Sequence, residues 1–388
     1  MVSYYDHEKD LVPRPTILLD KETEDAHDNP VISVDDAGYI WIFSTAHGTA
    51  RQAYVHRSRY PYEIDDFERV TITEWVEGKE REVTNFSYMQ PWTIPGQGFF
   101  LFHTRYNNPT TRSLWFARSR DGAHWEYSQN QAAIAKGHYE ISAAGQGRTG
   151  MAFNYHPTLS PFIRTNLYYM ETRDLGETWR RGDGTPLKLP LKEVTNPALV
   201  HDYSSEKRLV YLKDILFDSG GYPVILYLTS ASNMRGPESA PRTWTTARWT
   251  GKEWLIRPAV ESDDNYDTGS LYIEEDGTWR IIAPTDSGPQ PNYAGGEMVV
   301  WTSDDQGSSW KRVRQITRGS VRNHTYARRP VNAHPAFYAL WADGLGHEPS
   351  ESRIYFCNRE GDVRVLPDKM VDDFAKPGSP EDADRPHP

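Results

Sequence analysis

Histidine, tyrosine and arginine side chains recur in this sequence where short apolar segments begin or end. His27 lies just before the segment Pro30–Val34, and His47 lies just after Tyr39–Thr45. Comparable positions further along the chain are held by Asn29, Tyr88, His103, Arg105, His138, Tyr266, Asp267 and His324. Ordinary turns are dominated by Gly, Asn, Asp and Ser. The excess of titratable and aromatic side chains therefore favours a functional site.

Such a set of side chains suits removal of a proton from a carbon atom next to a carboxylate. A guanidinium binds a carboxylate through two parallel hydrogen bonds and stabilises the charge that develops as the proton leaves. An imidazole takes or gives a proton near neutral pH, and a phenol is the complementary acid or base. On a 4-linked uronic acid the outcome of this chemistry is β-elimination.

Other chemistries have weaker support in the sequence. The zinc motif H-E-x-x-H, the nucleophile elbow G-x-S-x-G and a phosphate-binding loop do not occur. A glycosidase needs two carboxylates at a defined separation. Such a pair could come from Asp267, Asp286, Glu297 and Asp343, so hydrolysis stays open at this point.

The elements that must position these side chains are short β-strands. Apolar and β-branched runs broken by Asp/Gly turns predict strands, the first of them Pro30–Val34, Tyr39–Thr45 and Gln52–Ser58. Antiparallel neighbours place the start of one strand beside the end of the next. His27 and His47 should therefore share one edge of the sheet.

The strand pattern recurs with a period of roughly 50 residues, which is typical of β-propeller blades. Six units can be counted, with no convincing helix between them. We therefore predict an all-β propeller with a single domain over residues 1–367. The polar strand ends should line its axial mouth, the usual binding site of such a fold. Residues 368–388 are rich in proline and acidic residues, and we predict a disordered tail.

Three of the units close on versions of the Asp-box motif, S/T-x-D-x-G-x-x-W. Ser303–Trp310 and Thr172–Trp179 match it, and Ser119–Trp125 is a shortened version. The Asp and Gly shape a tight turn, and the Trp should pack between blades. Because these are structural features of a fold, they say little about chemistry.

Charge and composition restrict the partners. Asp+Glu 54 against Lys+Arg 43 gives a net charge of −11, which argues against nucleic acid or a membrane surface as a partner. Met1–Asp10 is polar, and no apolar run reaches transmembrane length, so we expect a soluble protein, cytoplasmic or in a mature exported form. The single cysteine, Cys357, excludes an internal disulfide and a multi-cysteine metal site.

Five stretches carry a resemblance to a known family. They are H-D-N-P…G-Y-I-W-I-F…H-G (His27–Gly48), S-Y-M-Q-P (Ser87–Pro91), F-F-L-F-H-T-R (Phe99–Arg105), N-L-Y-Y-M-E-T-R-D-x-G-E-T-W (Asn166–Trp179) and N-H-T-Y-A-R-R-P (Asn323–Pro330). Over nearly the whole chain the sequence resembles the BNR-repeat propeller group, which contains ulvan lyases and rhamnose–glucuronate lyases. The resemblance implies seven blades and cleavage at C4 of a uronic acid. A seventh blade would be completed by Thr16–Asp20, by Val70–Glu74 or by the C-terminal tail.

The same resemblance implies roles for particular residues. His47 and Tyr88 would be the acid/base pair, and Arg105, helped by His27, would neutralise the uronate carboxylate. His103 competes with Arg105 for the pocket. His324 matches a further site histidine of the rhamnose–glucuronate members.

The remaining expectations concern substrate and cofactors. We predict an acidic oligo- or polysaccharide as substrate, contacted by Asn29, His103, His138, Tyr266, Asp267, His324 and Arg328. Arg328 belongs to a basic pair within a strand, for which an ion pair is the competing interpretation. Nothing in the sequence requires a cofactor, although some members of the group hold calcium or zinc. Relatives regarded as α-L-rhamnosidases keep a hydrolase open, and a non-catalytic carbohydrate-binding propeller is the third alternative. We expect a monomer.

Overall fold

The computed structural model describes residues 1–23, 25, 27, 29–49, 51–76, 78–106 and 111–383, with the side chains of 76, 382 and 383 left aside. The chain divides into two compact units. The first unit comprises Met1–Val2 and Pro15–His201, and the second comprises Ser3–Arg14 and Asp202–Pro388. Each unit contains three blade-type sheets, and their strands pair antiparallel except for one parallel pair in the second sheet.

The first unit holds the first three sheets. The first sheet consists of Pro30–Val34, Ile40–Ser44, Tyr54–Ser58 and Phe67–Val70. The second consists of Ser87–Ile94, Gly98–Tyr106, Arg112–Ser119 and His124–Ala132, extended by the hairpin of Thr73–Val76 and Lys79–Glu82. The third consists of Glu140–Gly145, Arg148–Tyr155, Thr165–Thr172 and Leu199–His201.

The second unit holds the other three sheets. They are Leu209–Phe217, Pro223–Ser230, Arg242–Trp249 and Trp254–Ser262; Ser270–Ile273, Trp279–Asp286, Glu297–Ser303 and Lys311–Gln315; and Asn323–Arg328, Ala339–Gly344, Ile354–Cys357 and Val363–Val365. A two-stranded sheet pairs Val12–Pro13 with Phe374–Ala375. A 3-10 turn at Pro237–Ser239 and a four-residue helix at Pro380–Ala383 complete the described elements. No helix of the described chain is long and apolar enough to cross a bilayer.

These sheets confirm the predicted all-β propeller class. The described residues form six blade sheets, and the segments considered for a seventh blade are used elsewhere. Thr73–Val76 runs parallel to His124–Ala132 as part of the second sheet. The tail is not wholly without structure: Phe374–Ala375 pairs with Val12–Pro13, and Gly378 pairs with Val365. The last residues of the predicted tail, 384–388, lie outside the described chain.

The Asp boxes are turns, as predicted. The hydroxyl of Thr172 accepts a hydrogen bond from the backbone N–H of Gly176 at 2.9 Å, and Asp174 accepts one from the N–H of Thr178 at 2.8 Å. Gly176 has φ +86°, and a Cβ there would lie 2.3 Å from the ring of Phe116. Trp179, at the end of the box, is buried against Phe116. The motif thus stabilises the packing of the second and third sheets.

Candidate functional site

Two imidazole rings stack at one edge of the first sheet. His27 precedes Pro30–Val34, and His47 follows Ile40–Ser44. In the register of this antiparallel pair Pro30 lies opposite Ser44, so the residues just outside both ends are brought together. The ring centroids of His27 and His47 are 4.2 Å apart, with an angle of 18° between the planes.

The carboxylate of Asp25 holds both rings. Its Oδ1 lies 2.5 Å from Nδ1 of His27, its Oδ2 lies 2.6 Å from Nδ1 of His47, and Arg51 donates to Oδ2 as well. Burial raises the pKa of this carboxyl, but the hydrogen bonds from the backbone and ring of His27 and from His47 outweigh burial, so the pKa is held below its ordinary value. Asp25 is therefore ionised at neutral pH.

This arrangement decides which ring nitrogen is basic. A contact of 2.6 Å between Nδ1 of His47 and a carboxylate oxygen needs a hydrogen atom between them. The Arg51 guanidinium lies 3.2 Å from the same Nδ1 and donates to Oδ2, but its hydrogens do not lie between these two atoms. His47 therefore donates from Nδ1, and its Nε2 carries the lone pair.

A cluster of three tyrosines lies against the two histidines. The ring of Tyr88 is 6.0 Å from that of His27 and 5.9 Å from that of His47. Its hydroxyl is 3.3 Å from the hydroxyl of Tyr106, and its ring is 5.6 Å from that of Tyr139. We call Tyr88, Tyr106 and Tyr139 the tyrosine cluster.

The backbone at Tyr88 is strained. Its φ is +54°, which is costly for a bulky residue, and the strand register shifts between Ser87 and Gln90. Strain of this kind tends to be kept where it aims a functional side chain. Burial, followed by Tyr139 and Tyr106, raises the pKa of Tyr88 far above its ordinary value. Tyr88 therefore keeps its proton and can act as an acid.

Two arginines flank Tyr139, a member of the tyrosine cluster. The Cζ atom of Arg112 is 4.6 Å from the ring centroid of Tyr139 and 5.4 Å from that of Tyr106. The Cζ atom of Arg164 is 4.2 Å from the Tyr139 ring. Burial raises the pKa of Tyr139, but Arg164 and Arg112 outweigh burial and lower it. The potential here is positive, as an anionic ligand requires.

Arg105 is not brought into this group. Its Nη2 donates to Oε1 of Glu74 at 2.8 Å and to the hydroxyl of Ser128 at 3.3 Å. Its Cζ atom lies 4.2 Å from the ring centroid of Trp115. The role of Arg105 as the carboxylate-binding residue stays a prediction, and its ion pair with the buried Glu74 does not favour it.

The two further histidines predicted in this unit are buried. His138 is fixed by the backbone, because its Nε2 accepts from the N–H of Ile134 at 2.8 Å and its Nδ1 lies 3.0 Å from the carbonyl oxygen of Asn154. His103 packs edge-on against Phe86, and neither of its ring nitrogens has a hydrogen-bond partner within the described part of the chain. Burial and then Arg105 lower the pKa of His103 well below its ordinary value. Asn29 is exposed.

In the second unit Asp267 and His324 are buried in hydrogen-bond networks. Asp267 accepts from the N–H of Gly295 at 2.7 Å and from the hydroxyl of Ser262. His324 accepts from Nε1 of Trp341 at 2.9 Å, and its Nε2 lies 2.9 Å from the hydroxyl of Ser320. These contacts hold loops and strands of the unit in place, and substrate binding by either residue stays a prediction.

The other two predicted residues of this unit are more accessible. Tyr266 is half-buried, with its ring 5.5 Å from that of Tyr211. Arg328 is exposed; its Nη1 is 3.5 Å from the carbonyl oxygen of Lys213, and its Cζ lies 5.8 Å from the ring of Tyr326. Neither a substrate role nor the competing ion-pair interpretation is decided by these contacts.

Sequence reasoning missed four residues of the first unit's site: Asp25, Tyr106, Arg112 and Arg164. Tyr106 and Arg112 are opposite each other in the register of a hairpin, which local sequence does not reveal. Asp25 could have been found from its spacing, since it lies two residues before His27.

A metal is a separate question. One ligand atom each from Asp25, His27 and His47 lie within 4.8 Å of one another. Calcium prefers six to eight oxygen ligands, and this set offers two nitrogens and a carboxylate that already binds the guanidinium of Arg51. The cluster therefore does not fit calcium, and the calcium expectation gains no site from it.

An open cleft lies beside His47 in the same unit. Its volume is about 730 Å³, and its lining includes Lys21, Gly48, Arg51 and Asn85. This volume is in the range of small-ligand sites. Its charged lining side chains are two cations, Lys21 and Arg51, and two carboxylates, Asp20 and Glu22.

Fold and site together define an all-β, blade-built protein with a histidine, tyrosine and carboxylate group suited to proton transfer. The chain belongs to the BNR repeat-containing family, whose sequence model matches residues 2–262. An ulvan lyase of Alteromonas sp. (strain LOR) is 23% identical to it, over 87% of this chain and 73% of the relative.

Solved structures agree with the fold. An ulvan lyase structure of polysaccharide lyase family PL25 superposes with a TM-score of 0.72 at 18% identity, covering 92% of this chain and 87% of the other. The structure of polysaccharide lyase Uly1 gives a TM-score of 0.58 at 12% identity, covering 86% and 78%. At these identities the likeness establishes the fold alone.

Proposed function

We propose that this protein is a polysaccharide lyase that cleaves a glycan containing uronic acid, of the rhamnosyl–glucuronate type, by β-elimination. The observation that carries the proposal is the placing of the Asp25–His47 pair beside the protonated phenol of Tyr88. The similarity to an ulvan lyase supports the substrate class. A PL25 ulvan lyase of the same fold, with a TM-score of 0.72, has been solved bound to -[GlcA(1-4)Rha3S]-.

The geometry suggests how the two groups divide the reaction. The lone pair on Nε2 of His47 takes the proton from C5 of the uronate, next to the carboxylate. The electron pair of the broken C5–H bond forms the C4=C5 double bond as the bond from C4 to the glycosidic oxygen breaks. Tyr88 gives its proton to that leaving oxygen. Asp25 stabilises the imidazolium that forms on His47.

His27 has a supporting part in this scheme. Its ring stacks on that of His47 and shares the carboxylate of Asp25. It therefore fixes the orientation of both groups. Stacking on an imidazole also restricts the rotation of the His47 ring, which keeps Nε2 near one position.

The test is the appearance of an unsaturated uronate, which absorbs in the near ultraviolet. Ulvan and related rhamnosyl–glucuronate oligosaccharides are incubated with the wild type, His47→Ala and Tyr88→Phe. We expect absorbance to grow with the wild type and to slow by roughly 10²- to 10⁴-fold with each variant, the usual contribution of a general acid or base.

Two outcomes would contradict the proposal. Release of sugars without any gain in absorbance would identify a hydrolase, the first alternative left open by the sequence. Binding of the glycan without any product would identify a carbohydrate-binding propeller.

A further inference from the structure

Proton abstraction next to a carboxylate needs a cation on that carboxylate, and the geometry of the first unit limits which arginine can supply it. The inference about this arginine rests on the proposed function. The charge that develops at C5 is shared with the carboxylate, so a guanidinium there lowers the barrier. The group must reach the same substrate ring as His47 and Tyr88.

Arg105 is poorly placed for this task because it already neutralises a carboxylate. Glu74, its partner at 2.8 Å, is buried, with 6% of its side chain exposed. Turning Arg105 toward a substrate would leave that carboxylate buried and unpaired, which is strongly unfavourable. Its guanidinium is also stacked on Trp115.

Arg112 differs from Arg105 because no carboxylate is paired with it among the residues that the structure describes. It is partly buried and hydrogen-bonds to Tyr139, yet its Nε and Nη1 lack acceptors among the residues that the structure describes. Buried donors without partners are costly and rare. Nε and Nη1 lie on opposite edges of the planar guanidinium, so a substrate carboxylate would accept from one of them together with Nη2, and the enclosed guanidinium must turn toward the substrate to do so.

The position of Arg112 fits the site. Its guanidinium contacts the rings of Tyr139 and Tyr106, and both of these contact Tyr88. The two histidines lie against Tyr88 as well. A uronate ring over the tyrosine cluster can therefore reach His47 with C5 and Arg112 with its carboxylate.

From these contacts we propose that Arg112, and not Arg105, binds the uronate carboxylate, next to the Arg164 guanidinium on the same tyrosine. The proposal makes Arg112 a substrate-binding residue that also stabilises the transition state. It differs from a purely structural role, in which Arg112 would only hold the tyrosine cluster together.

The experiment compares a ligand with and without its carboxylate. An ulvan oligosaccharide and its carboxyl-reduced counterpart are titrated by calorimetry into the His47→Ala protein, which prevents turnover. The same pair of titrations is made with Arg112→Met, Arg105→Met and Arg57→Met added to that background. Arg57 is the matched control, an arginine stacked on Tyr39 and Trp41 and paired with Glu68.

We expect carboxyl reduction to weaken binding by about 10- to 150-fold in the His47→Ala parent and in its Arg105 and Arg57 variants. In the Arg112 variant the two ligands should bind equally. A structural role for Arg112 would weaken both ligands alike and leave their ratio unchanged, which would overturn the proposal. So would a parent protein that does not distinguish the two ligands.

A kinetic measurement keeps this proposal separate from the proposed function. In a His47-containing protein, Arg112→Met should lower kcat/KM by roughly 10²- to 10³-fold, the usual effect of losing a transition-state donor. Arg112→Lys, which keeps the charge but loses the paired hydrogen bonds, should lie between Met and wild type. If the wild type forms no unsaturated product the lyase proposal fails, and the binding ratio still decides the role of Arg112.

Discussion

Asp25→Asn is the substitution that probes the acid/base group most sharply. It keeps the size and shape of the side chain and removes its charge. In the wild type the Asp25 carboxylate lies 2.5 Å from Nδ1 of His27 and 2.6 Å from Nδ1 of His47, and it forms an ion pair with the guanidinium of Arg51. An amide can donate to Nδ1 of His47, which would move the ring hydrogen to Nε2, the atom that must accept the proton.

The magnitude follows from these contacts. A hydrogen bond to a charged group contributes about 1.5–3 kcal/mol, which corresponds to roughly 10- to 150-fold in rate. Reversal of the tautomer adds to this loss, and the matching change in a Ser–His–Asp site lowers kcat about 10⁴-fold. We therefore expect kcat of Asp25→Asn to fall by roughly 10²- to 10⁴-fold.

The assay is the initial rate of unsaturated-product formation across a range of substrate concentrations and pH. Asp276→Asn is the matched control, because it changes the net charge equally at an exposed carboxylate of the second unit, which accepts from the N–H of Thr278 at 2.9 Å. That variant should stay within about threefold of the wild type, as is usual for surface substitutions. Circular dichroism and Tm establish that both variants fold. If folded Asp25→Asn also stayed within that range, the orientation of His47 by Asp25 would be refuted.

Three further predictions concern stability. Glu140→Gln should raise Tm more at pH 8 than at pH 5, because burial raises the pKa of Glu140. The wild type loses about 1.4 kcal/mol of folding free energy for each pH unit between the pKa of this group in the unfolded chain, near 4.3, and its pKa in the folded protein. Equal shifts of Tm at both pH values would contradict this. Arg105→Met should lower the free energy of unfolding by about 3–5 kcal/mol in a denaturant titration, and adding Glu74→Leu should recover much of the loss; no recovery would argue against the buried pair. Gly176→Ala should lower Tm more than Gly184→Ala, because both have positive φ but only Gly176 has a neighbouring ring at 2.3 Å; equal losses would mean that Phe116 gives way.

Much of the fold could be predicted from the sequence, because strands carry local signals. The predicted strand Pro30–Val34 has the observed bounds, and Tyr39–Thr45 is observed as Ile40–Ser44. The Asp boxes marked turns through residues that need particular backbone angles. Pairing between distant segments has no such signal, which is why Thr73–Val76 could not be placed in the second sheet.

The site could be predicted in part. His27 and His47 meet because antiparallel pairing brings their strand ends together, and that rule needs no coordinates. The arginine could not be chosen in the same way. Successive side chains of a strand face opposite sides, so Arg105 shares the buried side of His103, near Phe86, while its neighbour Tyr106 faces Tyr88. A displacement of one position thus separates a residue that contacts Tyr88 from one that is paired with Glu74.

The Arg112 guanidinium reaches the site from the next strand of the hairpin. Its place depends on the register of Arg112 opposite Tyr106, which is set by the fold and not by local sequence. The same holds for Arg164, which approaches Tyr139 from the third sheet's hairpin region. Residues of this kind become visible only when the sheets are assembled.

The central claim is that the glycan is cut by elimination, and the masses of the products test it most directly. A rhamnosyl–glucuronate oligosaccharide of known mass is digested to completion and every product is measured by mass spectrometry. Elimination adds no water, so the product masses should sum to the substrate mass, with an unsaturated uronate at the new end. Products that together exceed the substrate by one water for each bond cut would contradict the account.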